Sequence, residues 1–296
     1  MAVRRKSNWY IYFIAFGITM AFVIMAIITF RDYLFSEPTE SAGINQTGTL
    51  AEDFKPTAEY DFNIMAMLSE YEADAPSLFV LAAYNAVESR VTFIPVPDGI
   101  SMSSQDRSLR NIYAAQGGQG VIDVFKSVTG VSCDGYVKLD RAAFCDLVTA
   151  IGNIEYDIPQ TIMITDGREI DTLNAGEQLL SAERTFRYIM LADFDEGESY
   201  RFNVVGSVLS ELINQNISST DSFLLDTCVQ IILSQGETDI TNEAYSAKKA
   251  ALLNTITYGS SPAEYYVPYG EYGDNGSFDI SANSVTTIKQ KAGQDA

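Results

Sequence analysis

The sequence predicts an α/β protein of the mixed α+β kind: a central, mostly β-sheet flanked by helices on both faces and preceded by one transmembrane helix. Three observations lead there. From about residue 60 onward, short apolar runs of strand length alternate with segments of helical spacing. Trp9 to Phe30 carries no formal charge over 22 residues, and about 20 apolar residues suffice to cross the hydrocarbon core of a bilayer as a helix. Apolar residues make up 47% of the 296, enough for a well-buried core and too many for a disordered chain.

The span is justified by its flanks. Arg4, Arg5 and Lys6 precede it, and Trp9, Tyr10, Tyr12 and Tyr33 stand near its ends, where amphipathic rings favour the headgroup layer. A cleaved secretory signal is the competing reading, but its apolar region runs to about 7–15 residues before a small-residue cleavage site. This run is longer, and no A-x-A pattern follows it closely. The basic residues ahead of the span keep residues 1–8 cytoplasmic. The chain then divides into a tail (1–8), a transmembrane helix (9–30), a linker (31–59) and an extracytoplasmic domain (60–296). The linker reading rests on Ser36 to Asp61, which is acidic, rich in Ser, Thr, Gly and Pro, and without sustained period.

Phe62–Leu68, Leu78–Tyr84 and Val91–Val96 are apolar runs of strand length. Gly120–Thr129 and Asp140–Ile151 have helical spacing; in the second, Phe144, Leu147, Val148 and Ile151 share a face, Asp140 caps the start and Gly152 closes the end. Ile154–Ile158 and Thr161–Thr165 read as strands, with Asp166-Gly167 as a tight hairpin turn. Asn174 with Glu177 resembles a capping box that opens a helix through about Arg187. Helices follow at Ser199–Gln215, Asp221–Ser234 and Thr241–Ile256. The Gly-, Ser- and Tyr-rich stretch Gly259–Ser277 leads to one more strand and a short helix.

Composition narrows the chemistry. The absence of histidine removes Ser-His-Asp, Cys-His and His-ligated zinc mechanisms. A net charge of −20 opposes phosphate-driven nucleic-acid binding. Three cysteines make no disulfide scaffold. Cys133, ahead of a strand, and Cys145, in the helix returning from it, are separated by a residual gap of roughly 15 Å, far beyond disulfide reach. Cys145 and Cys228 read as small core residues. A catalyst built from this chain works with carboxylates, arginines, hydroxyls or a metal.

Four segments resemble, in order, motifs of the LytR-CpsA-Psr family. Tyr136–Pro159 (YVKLDRAAFCDLVTAIGNIEYDIP) is similar to its strand–helix–strand core. Leu173–Arg184 (LNAGEQLLSAER) is similar to its Leu-Asn-Gly-Glu-Gln-Ala-Leu segment leading to an arginine. Asn85–Pro97 resembles its paired strands ending in Ile-Pro, and Asn111 with Gly117-Gly118 its Asn-Ala-x-x-x-Gly-Gly. The resemblance covers about residues 60–290. It implies a membrane-anchored extracytoplasmic enzyme that moves a glycopolymer from a polyprenyl-pyrophosphate carrier to peptidoglycan. An apolar tunnel would hold the lipid, with arginines and a magnesium-bound aspartate at the pyrophosphate. Phosphoryl transfer of this kind is largely positioning and charge neutralisation, for which histidine is not needed and the arginine fork is suited.

Carried onto this sequence, the resemblance makes Arg184, Arg187 and Arg201 the catalytic residues and Asp98 the magnesium ligand. It also carries departures. Ala75-Pro76-Ser77-Leu78 stands where the family has Arg-Ser-Asp-Thr, and Pro97-Asp98-Gly99 where it has Pro-Arg-Asp. Arg184-Thr185-Phe186 stands for Arg-x-Arg, with Arg187 one place late. Val204 and Val205 replace later polar positions, leaving Arg201. The site is therefore degenerate, and removing cations from a phosphate site costs transition-state stabilisation. The alternatives are a non-catalytic envelope protein of the same fold that binds a polyprenyl lipid, a glycan or a partner enzyme, and a module with no ligand role. The arginines have a structural alternative too, as surface partners of Glu183, Asp195 or Glu198, and Asp98 as the shaper of a turn. Arg107 and Arg110 read as a solvated face. Tyr258, Tyr265, Tyr266, Tyr269 and Tyr272 read as an edge strand packing on the domain, or as sugar-stacking rings.

Overall fold

A computed structural model describes residues 50, 54–101, 107–165, 170–195, 197–217, 222–259 and 261–294. The span Trp9–Phe30, the tail before it and most of the linker lie outside them. No helix among the described residues is long and apolar enough to cross a membrane.

Strands β1 (Phe62–Leu68), β2 (Leu78–Asn85) and β3 (Arg90–Val96) form an antiparallel meander. Helix α1 (Leu109–Thr129) then covers one face and returns the chain as β4 (Gly135–Leu139), parallel to β1 with Ile64 level with Gly135. α1 is longer than the predicted Gly120–Thr129 and is two helical pieces broken at Gly117, whose φ of 69° is left-handed. α2 (Arg141–Ile151) begins where expected: Asp140 Oδ1 accepts from the Ala143 N–H at 2.9 Å. It ends at Gly152, whose N–H reaches the Val148 carbonyl at 2.8 Å.

β5 (Ile154–Ile158), β6 (Ile162–Thr165), β7 (Ile170–Leu173) and β8 (Gly176–Leu180) make two short antiparallel pairs, β5 with β8 and β6 with β7. The Asp166-Gly167 turn lies outside the described residues. β8 overturns the capping box at Asn174–Glu177. Residues 176–180 alternate in and out, so Leu180, level with Ile154, is buried while Leu179 is exposed. Pairing with β5 satisfies the backbone that a helix would otherwise have used. The helix starts later, as α3 (Ala182–Leu191), where the Ser181 hydroxyl accepts from the Arg184 N–H.

α4 (Glu198–Asn216), α5 (Ser222–Gln235), β9 (Glu237–Thr238), α6 (Asn242–Tyr258), β10 (Ala263–Tyr265), β11 (Gly270–Tyr272), β12 (Phe278–Ile280) and α7 (Ala282–Lys291) complete the chain. The central sheet runs β10-β3-β2-β1-β4-β9, and β11 pairs with β12 in a separate hairpin. The predicted tail thus contains two more short strands. Edge strand β10 is held to α4 by Asn214, whose amide both donates to the Ala263 carbonyl (3.0 Å) and accepts from its N–H (2.9 Å).

Strand alternation sends side chains to two cores. Met65, Met67, Phe79, Leu81, Ile94 and Val96 pack under α1 and α7. Leu68, Leu78, Val80, Val137 and Leu139 pack on the opposite face under α2, α3 and α4. Burying each large apolar side chain contributes roughly 1.5–3 kcal/mol, so the layered arrangement rests on both faces together. The chain closes on itself: Asn63 in β1 donates to the Ala292 carbonyl at 3.0 Å, and Ser132 and Gln294 bond each other twice.

Candidate functional site

Of the predicted site residues, Arg184 stands in the first turn of α3, Arg187 in its middle, and Arg201 in the first turn of α4, where it meets the end of α3. Tyr156, Tyr188, Phe194 and Tyr200 form a chain of ring contacts, with centroids 5.9, 5.7 and 5.5 Å apart, that fixes α3 against the first turn of α4. Arg201 Nη2 lies 3.2 Å from the Met190 carbonyl and 3.4 Å from that of Ile189, so it closes the last turn of α3. Its Nη1 stands 3.8 Å from Glu198, and its Nε is buried without a hydrogen-bond partner. Arg187 is 5% exposed, on the core side of α3 beside Phe186 and Tyr188. Arg184 is half-buried and pairs with Asp171 of β7 at 3.3 Å, a partner not among those the sequence suggested.

Asp98 follows β3 in a 3₁₀ turn, Asp98–Ser101, and its Oδ1 accepts from the Arg110 N–H at 2.7 Å, in the first turn of α1. The β11–β12 hairpin packs on this turn. Gly99 touches Gly276 so closely that a β-carbon would stand 1.9 Å from the Gly276 carbonyl oxygen. In β11, burial and then the charge of Glu198 push the Tyr272 hydroxyl up to about 12. Among the described residues no group of three or more His, Cys, Asp or Glu is placed to hold a metal. Asp98 offers one carboxylate, its Oδ1 already taken by the Arg110 N–H, and magnesium beside a substrate's phosphates is held by one or two carboxylates.

Arg107, just ahead of α1, and Arg110, in its first turn, are both exposed. Of the tyrosine group, Tyr265 lies on edge strand β10 against Gly206, and Tyr266 packs in the core with its hydroxyl on Ser284 at 3.1 Å. Tyr258, Tyr265, Tyr269 and Tyr272 are all exposed. All three cysteines are free. Burial, with the Glu183 carboxylate 3.7 Å away, pushes the Cys145 thiol up to about 12, the reverse of what a nucleophile needs.

Two concavities stand on the molecule; the family resemblance implied an apolar tunnel without placing it. One is an apolar cavity of about 220 Å³ between the sheet and α4–α6, lined by Phe62, Tyr84, Phe93, Ile213, Leu225 and Leu252 among others, none of the lining residues charged. Its lining comes from strands, helices and a loop far apart in sequence, so no local pattern marks it. Arg201 and Ile213 stand twelve residues apart on α4, so the guanidinium corner and the cavity are about 18 Å from each other along that helix. Val205 and Val208, at 0% exposure, fill the helix face between them. The other is a more open cleft of about 350 Å³ outside the carboxyl ends of β1 and β4, lined by Glu70, Tyr71, Glu72, Asp140, Arg141 and Glu183 among others. There Arg141 makes two hydrogen bonds to Glu183 and lies over Phe186. Its place just after a parallel strand was the available signal.

A mixed sheet covered on both faces, with strand, helix and glycine motifs in this order, defines the class of protein. The chain belongs to the LytR-CpsA-Psr family, whose sequence profile matches residues 89–292. Among solved structures it is similar to a protein from Eubacterium siraeum DSM 15702 described as a transcription regulator, at 25% identity and a TM-score of 0.75, covering 86% of this chain and 98% of that one. It is also similar in fold to TagV of B. subtilis (17% identity, TM-score 0.63, 80% and 98% covered). TagT bound to LIIa-WTA shares the fold at 16% identity and a TM-score of 0.58, with 78% and 89% covered. No curated protein sequence matches the chain.

Proposed function

We propose that the protein works in the attachment of glycopolymers to the cell wall, taking the polymer from a polyprenyl-pyrophosphate carrier to peptidoglycan. The observation that carries this reading is the family match over residues 89–292 on a fold that holds a charge-free apolar cavity beside its sheet. TagT, with LIIa-WTA bound, lends support from the same fold. Transcription regulation, as the Eubacterium protein is described, is opposed here by the net charge of −20.

In this reading Trp9–Phe30 anchors the chain in the cytoplasmic membrane, the tail stays cytoplasmic and the domain stands outside. Arg184, Arg187 and Arg201 bind and neutralise the phosphate oxygens, and Asp98 holds magnesium. When bound with the carrier's phosphates, magnesium supplies further charge neutralisation there. The site lacks about half of the family's cations, so turnover is slow.

A second reading, a binder without transfer, is favoured by one observation: the cavity and the guanidinium corner lie at opposite ends of α4, with packed valines between. Incubation of the full chain, in nanodiscs, with a polyprenyl-pyrophosphate-linked glycopolymer, magnesium and peptidoglycan separates the two. Polymer appearing on peptidoglycan, and lost in Arg184→Ala, supports transfer. Lipid carrier that co-purifies without turnover supports the binder, and neither result would end both readings.

A further inference from the structure

The open cleft outside the carboxyl ends of β1 and β4 has no role so far, although it lies where α/β folds bind their ligands. The two strands are parallel; α1 enters β4 over one face of the sheet and α2 leaves it over the other, so the gap between their ends is a switch point. Its volume, about 350 Å³, stands at the small end of the roughly 300–1,000 Å³ typical of small-molecule sites, the size for one or two sugar rings.

One wall is the loop after β1. The Tyr71 carbonyl accepts from the Ser69 hydroxyl (2.8 Å) and the Asp74 N–H (3.1 Å), and the Glu72 carbonyl accepts from the buried Lys138 ammonium. The loop is thus set before any ligand arrives, which lowers the ordering cost of binding. It offers the Tyr71 ring, 52% exposed, and the carboxylates of Glu70 and Glu72. The rest of the lining comes from the start of α2 and of α3, where Arg141 donates twice to Glu183 and its guanidinium stands 5.8 Å from the centre of the Phe186 ring. An aromatic ring can stack on the C–H face of a pyranose while carboxylates accept from its hydroxyl and amide groups. Four carboxylates (Glu70, Glu72, Asp140, Glu183) against one guanidinium repel a polyanion.

We infer that this cleft is a subsite for an uncharged, N-acetylated glycan, the sugar chain of the acceptor. This rests on the transfer reading above and deepens it. Glu183 lines the cleft and Arg184 follows it in the first turn of α3, so a glycan seated there is held one residue from a guanidinium assigned to the phosphates. The acidic lining makes the same cleft a poor seat for a polymer that carries phosphates of its own.

The probe is the N-acetylglucosamine tetramer, titrated calorimetrically into the full chain in nanodiscs. Saturable binding is expected, weakened about tenfold or more by Tyr71→Ala and kept by Tyr71→Phe, which retains the ring. Because Tyr71 is exposed, thermal unfolding of Tyr71→Ala should match the wild type, so that lost binding is not lost fold. An oligomer of glycerol phosphate should fail to displace the tetramer. Absence of saturable binding, equal affinity in Tyr71→Ala, or displacement by glycerol phosphate overturns the inference, while polymer transfer by the wild type would still uphold the transfer reading. Binding that depends on Tyr71 in a protein that transfers nothing removes the transfer reading and keeps the glycan site.

Discussion

The ring of Tyr136 approaches Gly118 so closely that a β-carbon there would stand 2.3 Å from Cδ2. Two of the motifs that place the chain in its family thus meet in space, one on α1 and one on β4. Gly117 supplies the left-handed break and Gly118 the flat surface that the ring occupies. Gly118→Ala should cost about 1–3 kcal/mol through this clash, and the cost should shrink in a Tyr136→Ala background. Denaturant unfolding of the four proteins gives the coupling directly, and simple additivity would refute the contact.

Arg201 closes the C-terminal end of α3 through the Ile189 and Met190 carbonyls. Arg201→Ala leaves those carbonyls unmet and should lower stability by about 1–2 kcal/mol. Arg201→Gln, with a neutral donor, should recover part of it. Thermal unfolding reads both, and an unchanged midpoint for the alanine variant would mean that the cap carries no weight.

Asp98 has two roles that substitution can separate. Asp98→Asn keeps an oxygen for the Arg110 N–H and should leave stability within about 0.5 kcal/mol, whereas Asp98→Ala should lose about 1 kcal/mol. If Asp98 also holds magnesium, both variants should lose magnesium-dependent turnover equally. Retained magnesium dependence in Asp98→Asn would remove it from the metal site.

Glu264 ties three elements together: it pairs with Arg90 of β3 and Lys291 of α7 and accepts from Thr92. Burial pushes its carboxyl up, but the Lys291 and Thr92 hydrogen bonds and the Lys291 and Arg90 charges outweigh burial, so its pKa lies below 4.5. A carboxyl held down in the folded state stabilises it fully above the unfolded value, and that contribution disappears as pH falls through the folded one. The stability difference between the wild type and Glu264→Gln should therefore be constant from about pH 7 to 5 and shrink below that. A difference that grows on acidification would contradict the assignment.

Where one residue's neighbours in sequence are also its neighbours in space, the sequence was informative. β1 matches its predicted bounds, and Asp140 and Gly152 begin and end α2 as their chemistry requires. β8 was misread because Asn174 and Glu177 carry a local helix-start pattern, and only β5, more than fifteen residues earlier, decides otherwise. The first half of α1 was missed since the helical phase breaks at Gly117. At the candidate site the arginines were visible as residue types. Glu198, one of the expected acidic partners, does stand 3.8 Å from Arg201, whereas Asp171 for Arg184 and two main-chain carbonyls for Arg201 are products of β7 and of the α3–α4 corner. The cavity is the least legible feature, because a void is defined by surfaces that no single segment owns.

The bond from Asn63 to the Ala292 carbonyl has a consequence for the order of events during biosynthesis. Its two partners are 229 positions apart, and polypeptides emerge from the ribosome in one direction. β1, one of the two middle strands of the sheet, is laid down early, yet its Asn63 waits for the end of the final helix before its hydrogen bonding is complete. Such distant closure is slow and leaves apolar surface bare in the interim. A nascent chain stalled short of α7 should therefore be a chaperone client and a protease substrate, whatever its earlier segments have already assembled.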